Sequence, residues 1–124
     1  MKSFKELGVW QKAVKLAAAA YKRTDKFPTS EIYVLIPQLR KAAVSVSANI
    51  AEGWGRGSTK EYVQFLLIAR GSLMELLSHF AVARELDYLN ETDLLAIESD
   101  IENVGRMLNG LISSLRLKRR LGKP

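Results

Sequence analysis

STKEYVQFLLIARGSLMELLSHFAVARELD, residues 58–87, decides the fold. Ser58-Thr59-Lys60-Glu61 reads as a capping box, in which a hydroxyl and a carboxylate each accept an orphan backbone N–H. Behind it, Tyr62, Leu66, Ala69, Leu73, Leu76, Phe80 and Ala83 recur at alternating steps of four and three. That is a sustained heptad seam, and a helix to Asp87 would be about 45 Å long. Val63, Leu67, Met74, Leu77 and Ala81 form a second apolar stripe beside it. A helix apolar over more than one face is either fully internal or covered by a neighbour. In a bundle of four helices none is fully internal, so this stripe is the candidate oligomer interface.

Helix signals extend outward in both directions. A first helix over about residues 5–23 carries Trp10, Ala13, Val14, Ala17 and Tyr21 as its expected inner face. Phe27-Pro28 ends that segment, because proline cannot continue a helix. Thr29-Ser30-Glu31 can form a short turn, and Pro37 suits the first position of a second helix over 37–53. Leu39, Ala43, Val46 and Ile50 line its inner face, and Gly53-Trp54-Gly55-Arg56-Gly57 is the next loop. A fourth helix over 91–116 opens on Asn90, with Glu91 and Asp93 in its first turn. Its seam is Leu94, Ile97, Ile101, Val104, Leu108, Leu111 and Leu115. Four amphipathic helices with short connections predict an all-α, antiparallel up-down-up-down four-helix bundle over residues 1–116. Residues 117–124 are expected to be a frayed basic tail.

At 124 residues and 48% hydrophobic content, the chain suits one domain with a core that needs no staples. It has no cysteine, which excludes disulfides, thiol catalysis and thiolate metal sites. The charged N-terminal segment is unlike a signal sequence. Gln64, Arg70, Glu75 and His79 interrupt the most apolar window, so a soluble, cytoplasmic protein without membrane contact is expected. Net charge is +6, unevenly spread. Residues 1–60 hold eleven Lys/Arg against four Asp/Glu, residues 61–112 three against nine, and the last twelve five against none. Such bipolarity serves either a polyanion or contacts between helices and between copies.

Catalytic constellations fail one by one. His79 is the only histidine, and no nucleophile elbow accompanies it; it reads as a seam-edge residue. A di-iron bundle needs two Glu-x-x-His motifs. Gly53 to Lys60 lacks the Gly-Lys-Ser/Thr order of a phosphate loop, although Arg56 and Lys60 flank a helix N-terminus that favours anions. Asn49 with Glu52, and Ser72 with Glu75, are expected to set helix register or subunit contacts. No catalytic residue, metal ligand or cofactor site is expected.

Several segments carry a family resemblance: Trp10-Gln11-Lys12-Ala13, Phe27-Pro28, Gln38 to Ser45, Asn49-Ile50-Ala51-Glu52-Gly53 and Ala69 to Glu75. They resemble the four-helix-bundle proteins encoded within intervening sequences of bacterial large-subunit rRNA genes. The likeness runs from about Phe4 to Leu115, with Ser47 and Lys41 where the family often has proline and arginine. It implies a homopentameric ring. It also implies kinship with the accessory variability proteins of diversity-generating retroelements, which bind nucleic acid and a reverse transcriptase.

The expected function is a non-enzymatic oligomer that binds RNA or DNA phosphates without strong sequence specificity. Candidate contacts are Lys12, Lys15, Lys22, Arg23, Arg40, Lys41, Arg56, Lys60, Arg116, Lys118, Arg119 and Arg120. The alternative is a structural or protein-interaction assembly, with itself or another protein as partner.

Overall fold

The computed structural model describes residues 2–122 and contains four α-helices with no strand among them. They are α1 (Gly8–Thr24), α2 (Leu35–Trp54), α3 (Thr59–Glu85) and α4 (Glu91–Arg120). Two 3-10 turns, Phe4–Glu6 and Thr29–Glu31, precede α1 and α2. In space α1 packs on α2 and α4, and α3 packs on the same two helices, while the diagonal pairs scarcely touch.

The seam of α3 is the middle of the core. Leu66, Ala69, Leu73, Leu76, Phe80 and Ala83 are all fully buried, as are Leu39, Ala43, Val46 and Ile50 of α2. From α4 the core takes Ile97, Ile101, Val104, Leu108 and also Ile112. By length and composition α3 could cross a membrane, but this seam is instead covered by α2 and α4.

Helix α1 is turned from its expected phase. Its buried face is Val9, Ala13, Leu16, Ala17, Ala20 and Thr24, whereas Val14 and Tyr21 are exposed. Tyr21 faces out because the Arg40 guanidinium stacks on its ring, 4.5 Å from the centroid. Trp10 is half-buried, edge-on to Phe4 at 5.1 Å. The helix starts later than expected because Ser3 caps a separate turn, accepting the Lys5 N–H at 3.1 Å, and Leu7 is extended. Helix α2 starts two residues before Pro37, which still falls in the first turn, where a missing N–H costs nothing.

The α2–α3 turn rests on one obligatory glycine conformation, Gly57 at φ +85°. Ser58 Oγ accepts the Glu61 N–H at 3.2 Å, so the hydroxyl half of the expected capping box is formed. Helix α3 stops at Glu85 because Asp87 turns left-handed at φ +60°, and the Tyr88 N–H then reaches back to the Ala83 carbonyl at 2.9 Å.

The largest departure is at the C-terminus. Residues 117–120, expected in the basic tail, continue α4, and the helix is closed by Gly122 at φ +73°, whose N–H donates to the Arg119 carbonyl at 3.0 Å. A glycine just past a helix end is the usual left-handed stop. Residues 123 and 124 of the expected tail lie outside the described residues.

One cross-link between connectors gives a pH test. The Tyr88 hydroxyl donates to the Glu31 carboxylate at 2.6 Å, and the other carboxylate oxygen accepts the Leu35 N–H at 3.3 Å. The hydrogen bond to Glu31 raises the Tyr88 phenol above its ordinary 10.0. A raised tyrosine pKa stabilises the fold fully below pH 10, and that contribution is lost as pH climbs through the folded-state value. Tyr88→Phe is therefore expected to lower the urea midpoint at pH 8, with the gap to the parent closing above pH 10. A gap independent of pH would contradict the assignment.

Candidate nucleic-acid interface

The basic side chains separate into paired and unpaired groups. Arg23 donates to Asp93 at 2.7 Å, tying α1 to the start of α4. Arg40 bonds Thr24 Oγ1 at 2.9 Å, Asp25 at 2.8 Å and the Tyr21 carbonyl at 3.3 Å, so it closes the end of α1. Arg56 lies over the Phe65 ring at 4.9 Å, with Glu52 at 3.7 Å. Each of these three arginines, expected from the sequence as a phosphate contact, has a partner within the protein.

Lys12, Lys15, Lys22, Lys41 and Lys60 are exposed and form no ion pair among the described residues. Lys22 lines a pocket between α1 and α4 together with Arg23, Lys26 and Asp93. Acidic neighbours lower the local potential available to a polyanion there.

Cations collect at the far end of α4, where no acidic residue follows Glu102 in the sequence. Arg116, Lys118, Arg119 and Arg120 are exposed on two helical turns, and Arg116, Arg119 and Arg120 line one shallow depression with Ser113. The contact of Gly105 with Leu73 (3.9 Å from the glycine's would-be Cβ) and the Arg70–Asn109 bond at 3.0 Å fix how α4 lies on α3. The helix end is thus continuous, exposed and cationic.

The polar residues expected between helices behave differently from one another. Asn49 Nδ2 donates to the Ser45 carbonyl at 2.8 Å and to Ser45 Oγ at 2.9 Å, and Ser45 Oγ meets Ser72 Oγ at 2.8 Å. Ser72 also donates to the Ile68 carbonyl at 3.2 Å. This chain of bonds fixes α2 against α3. Ser45 was not among the expected site residues; its i, i+4 spacing to Asn49 was the available signal. Glu52 and Glu75 take no part: both are exposed, Glu52 near Arg56 and Glu75 at 3.7 Å from His79 Nε2. His79 sits mostly buried at the seam edge, as its position in α3 suggested.

The expected interface stripe also divides. Val63 belongs to the core and is corrected from the stripe, Leu67 and Leu77 are half-buried against the core, and Met74 and Ala81 are exposed.

A four-helix, all-α scaffold carrying a basic helix end is the class that these features define. The chain belongs to the 23S rRNA-intervening sequence protein family, whose model matches residues 5–110. A crystal structure of a protein of unknown function from the S23 ribosomal protein family of Bacteroides thetaiotaomicron has the same fold. Its TM-score is 0.77 at 19% sequence identity, covering 85% of this chain and 95% of that one. No curated protein matches the chain.

Proposed function

We propose that this protein is a non-enzymatic, self-associating antiparallel four-helix bundle that binds the phosphates of RNA or DNA through the last turns of α4. The observation that carries the reading is the exposed set Arg116, Lys118, Arg119 and Arg120 on continuous helix, in no ion pair among the described residues. Phosphate contacts of this kind add affinity without reading bases. Repetition of one such end around a ring would multiply a weak contact through effective concentration. The kinship with the retroelement accessory proteins that the family resemblance implies is in keeping with this reading, and a homopentamer is the assembly that the resemblance suggests.

The test is the salt dependence of binding to structured RNA and to duplex DNA. Wild-type affinity should fall steeply with salt. Replacing Lys118, Arg119 and Arg120 with alanine preserves helix propensity and removes up to three phosphate contacts. On duplex DNA the slope of log K against log salt should drop by about 0.9 per lost contact. An unchanged slope, or no binding at low salt, would refute the reading and favour an assembly that binds only protein.

A further inference from the structure

The last turns of α2 and the turn before α1 form a recess that none of the contacts above uses. Ala48, Ala51, Glu52, Gly55 and Arg56 line it at helical spacing, and Phe4 completes the lining. Its volume is about 350 Å³, at the small end of the range of about 300–1,000 Å³ for small-molecule sites. The alanines and the glycine contribute at most a methyl each. The chemistry of the recess therefore rests on one aromatic ring, one carboxylate and one guanidinium.

Phe4 is fixed in place. Its ring is edge-on to Trp10 at 5.1 Å and to Trp54 at 6.5 Å. Its turn is closed by the Leu7 N–H, which donates to the Phe4 carbonyl at 3.0 Å, and by Gln11 Nε2, which donates to the Lys5 carbonyl at 2.8 Å. The two charged groups are positioned but uncommitted. Arg56 lies over the Phe65 ring, and its Nε stands 3.7 Å from Glu52 Oε1. A hydrogen bond between charged groups is shorter, about 2.7–2.9 Å. Among the described residues neither side chain makes a hydrogen bond, whereas Arg23 and Arg40 both do.

We infer that this recess binds a guanine base by its Watson–Crick edge. That edge carries one acceptor, O6, beside two donors, N1–H and the N2 amino group. Arg56 supplies a donor for O6, and the two Glu52 oxygens accept from the two donors, in the pattern that cytosine presents to guanine. Adenine, cytosine and uracil each bring only one donor to that edge, so guanine alone satisfies both carboxylate oxygens. Phe4 offers its ring to the face of the base, as aromatic side chains do for unpaired bases. The base comes either from a free guanine nucleotide or from an unpaired position of a strand; inside a duplex the same edge is already taken. The inference goes beyond the phosphate contacts of α4, which read no base.

The test titrates the full chain with guanosine, inosine and uridine monophosphates. Trp10 and Trp54, the two tryptophans of the chain, both flank Phe4, so their fluorescence, corrected for nucleotide absorption, reports occupancy. Guanosine monophosphate is expected to bind at least tenfold more tightly than inosine monophosphate, which lacks only the N2 amino group and so one hydrogen bond to a charged acceptor. Glu52→Gln, at an exposed position, should abolish that preference, because an amide offers one acceptor where the carboxylate offers two. A second arm compares a short uridine strand with the same strand carrying one central guanosine or inosine. A guanosine preference in both arms identifies a strand as a source, and one confined to the mononucleotides identifies the free nucleotide. Equal affinity for the guanosine and inosine forms in both arms, or a preference that survives Glu52→Gln, would overturn the inference and leave the α4 contacts untouched. A guanosine preference combined with strand binding that ignores the Lys118, Arg119 and Arg120 replacements would refute those contacts and uphold the recess. If Glu52→Gln loses its helical circular dichroism, the guanosine–inosine comparison on the wild type decides.

Discussion

Replacing Phe80 with alanine is expected to lower the unfolding free energy by about 3–5 kcal/mol. Phe80 heads the largest fully buried side chains and stands in the seam of α3, the helix that contacts both α2 and α4 most. Its removal takes away transfer free energy and leaves a cavity that three rigid helices cannot easily collapse. Since small domains are stable by only about 5–15 kcal/mol, the variant should unfold at much lower urea concentration. The comparison must be made at one protein concentration, because the proposed self-association would add to apparent stability. A loss below about 1 kcal/mol would mean that this seam is not the centre of the core.

Gly53→Ala is the second large effect, and it runs against helix propensity. Alanine in an ordinary helix interior gains about 0.5–1 kcal/mol over glycine. At Gly53 a Cβ would stand 2.8 Å from Phe65 Cβ, 3.1 Å from Tyr62 Cδ1 and 3.2 Å from the Tyr62 carbonyl oxygen. None of these is the tip of a flexible side chain, so α2 and α3 would have to part near their shared turn. Overpacking of this kind costs about 1–3 kcal/mol. Gly110, also inside a helix, has nothing within 4 Å of a Cβ, and Gly110→Ala should stabilise. Opposite signs for the same substitution, read from two denaturation curves, are the expected outcome. Stabilisation at both positions would show that α2 and α3 are not in close contact at Gly53.

This glycine also shows how far the sequence could be read. Its place in Asn49-Ile50-Ala51-Glu52-Gly53 marked it, but a helix stop was the expected role; the structure keeps it helical and uses its lack of a side chain. The seams of α2, α3 and α4 were legible because leucine, isoleucine and phenylalanine recur at heptad steps. Helix α1 was misphased because its alanines, Ala17 to Ala20 among them, carry little contrast between faces. The outward turn of Tyr21 depends on Arg40, nineteen residues away in sequence. The same limit applies to the basic residues. Arg23 finds Asp93 seventy residues later, and no local pattern separates it from Lys22. By contrast, the continuation of α4 to Arg120 was readable in Gly122, a glycine placed just beyond a basic last turn.

The reassignment of Arg23, Arg40 and Arg56 to internal contacts narrows the proposed polyanion surface to the end of α4.

The most direct test of the central claim is ultraviolet crosslinking of the protein to nucleic acid in cells, followed by recovery, sequencing of the bound strand and mapping of the crosslinked peptides. The account predicts that nucleic acid is recovered and that crosslinks concentrate in residues 111–122. Protein recovered free of nucleic acid, or crosslinks confined to α1, would contradict it.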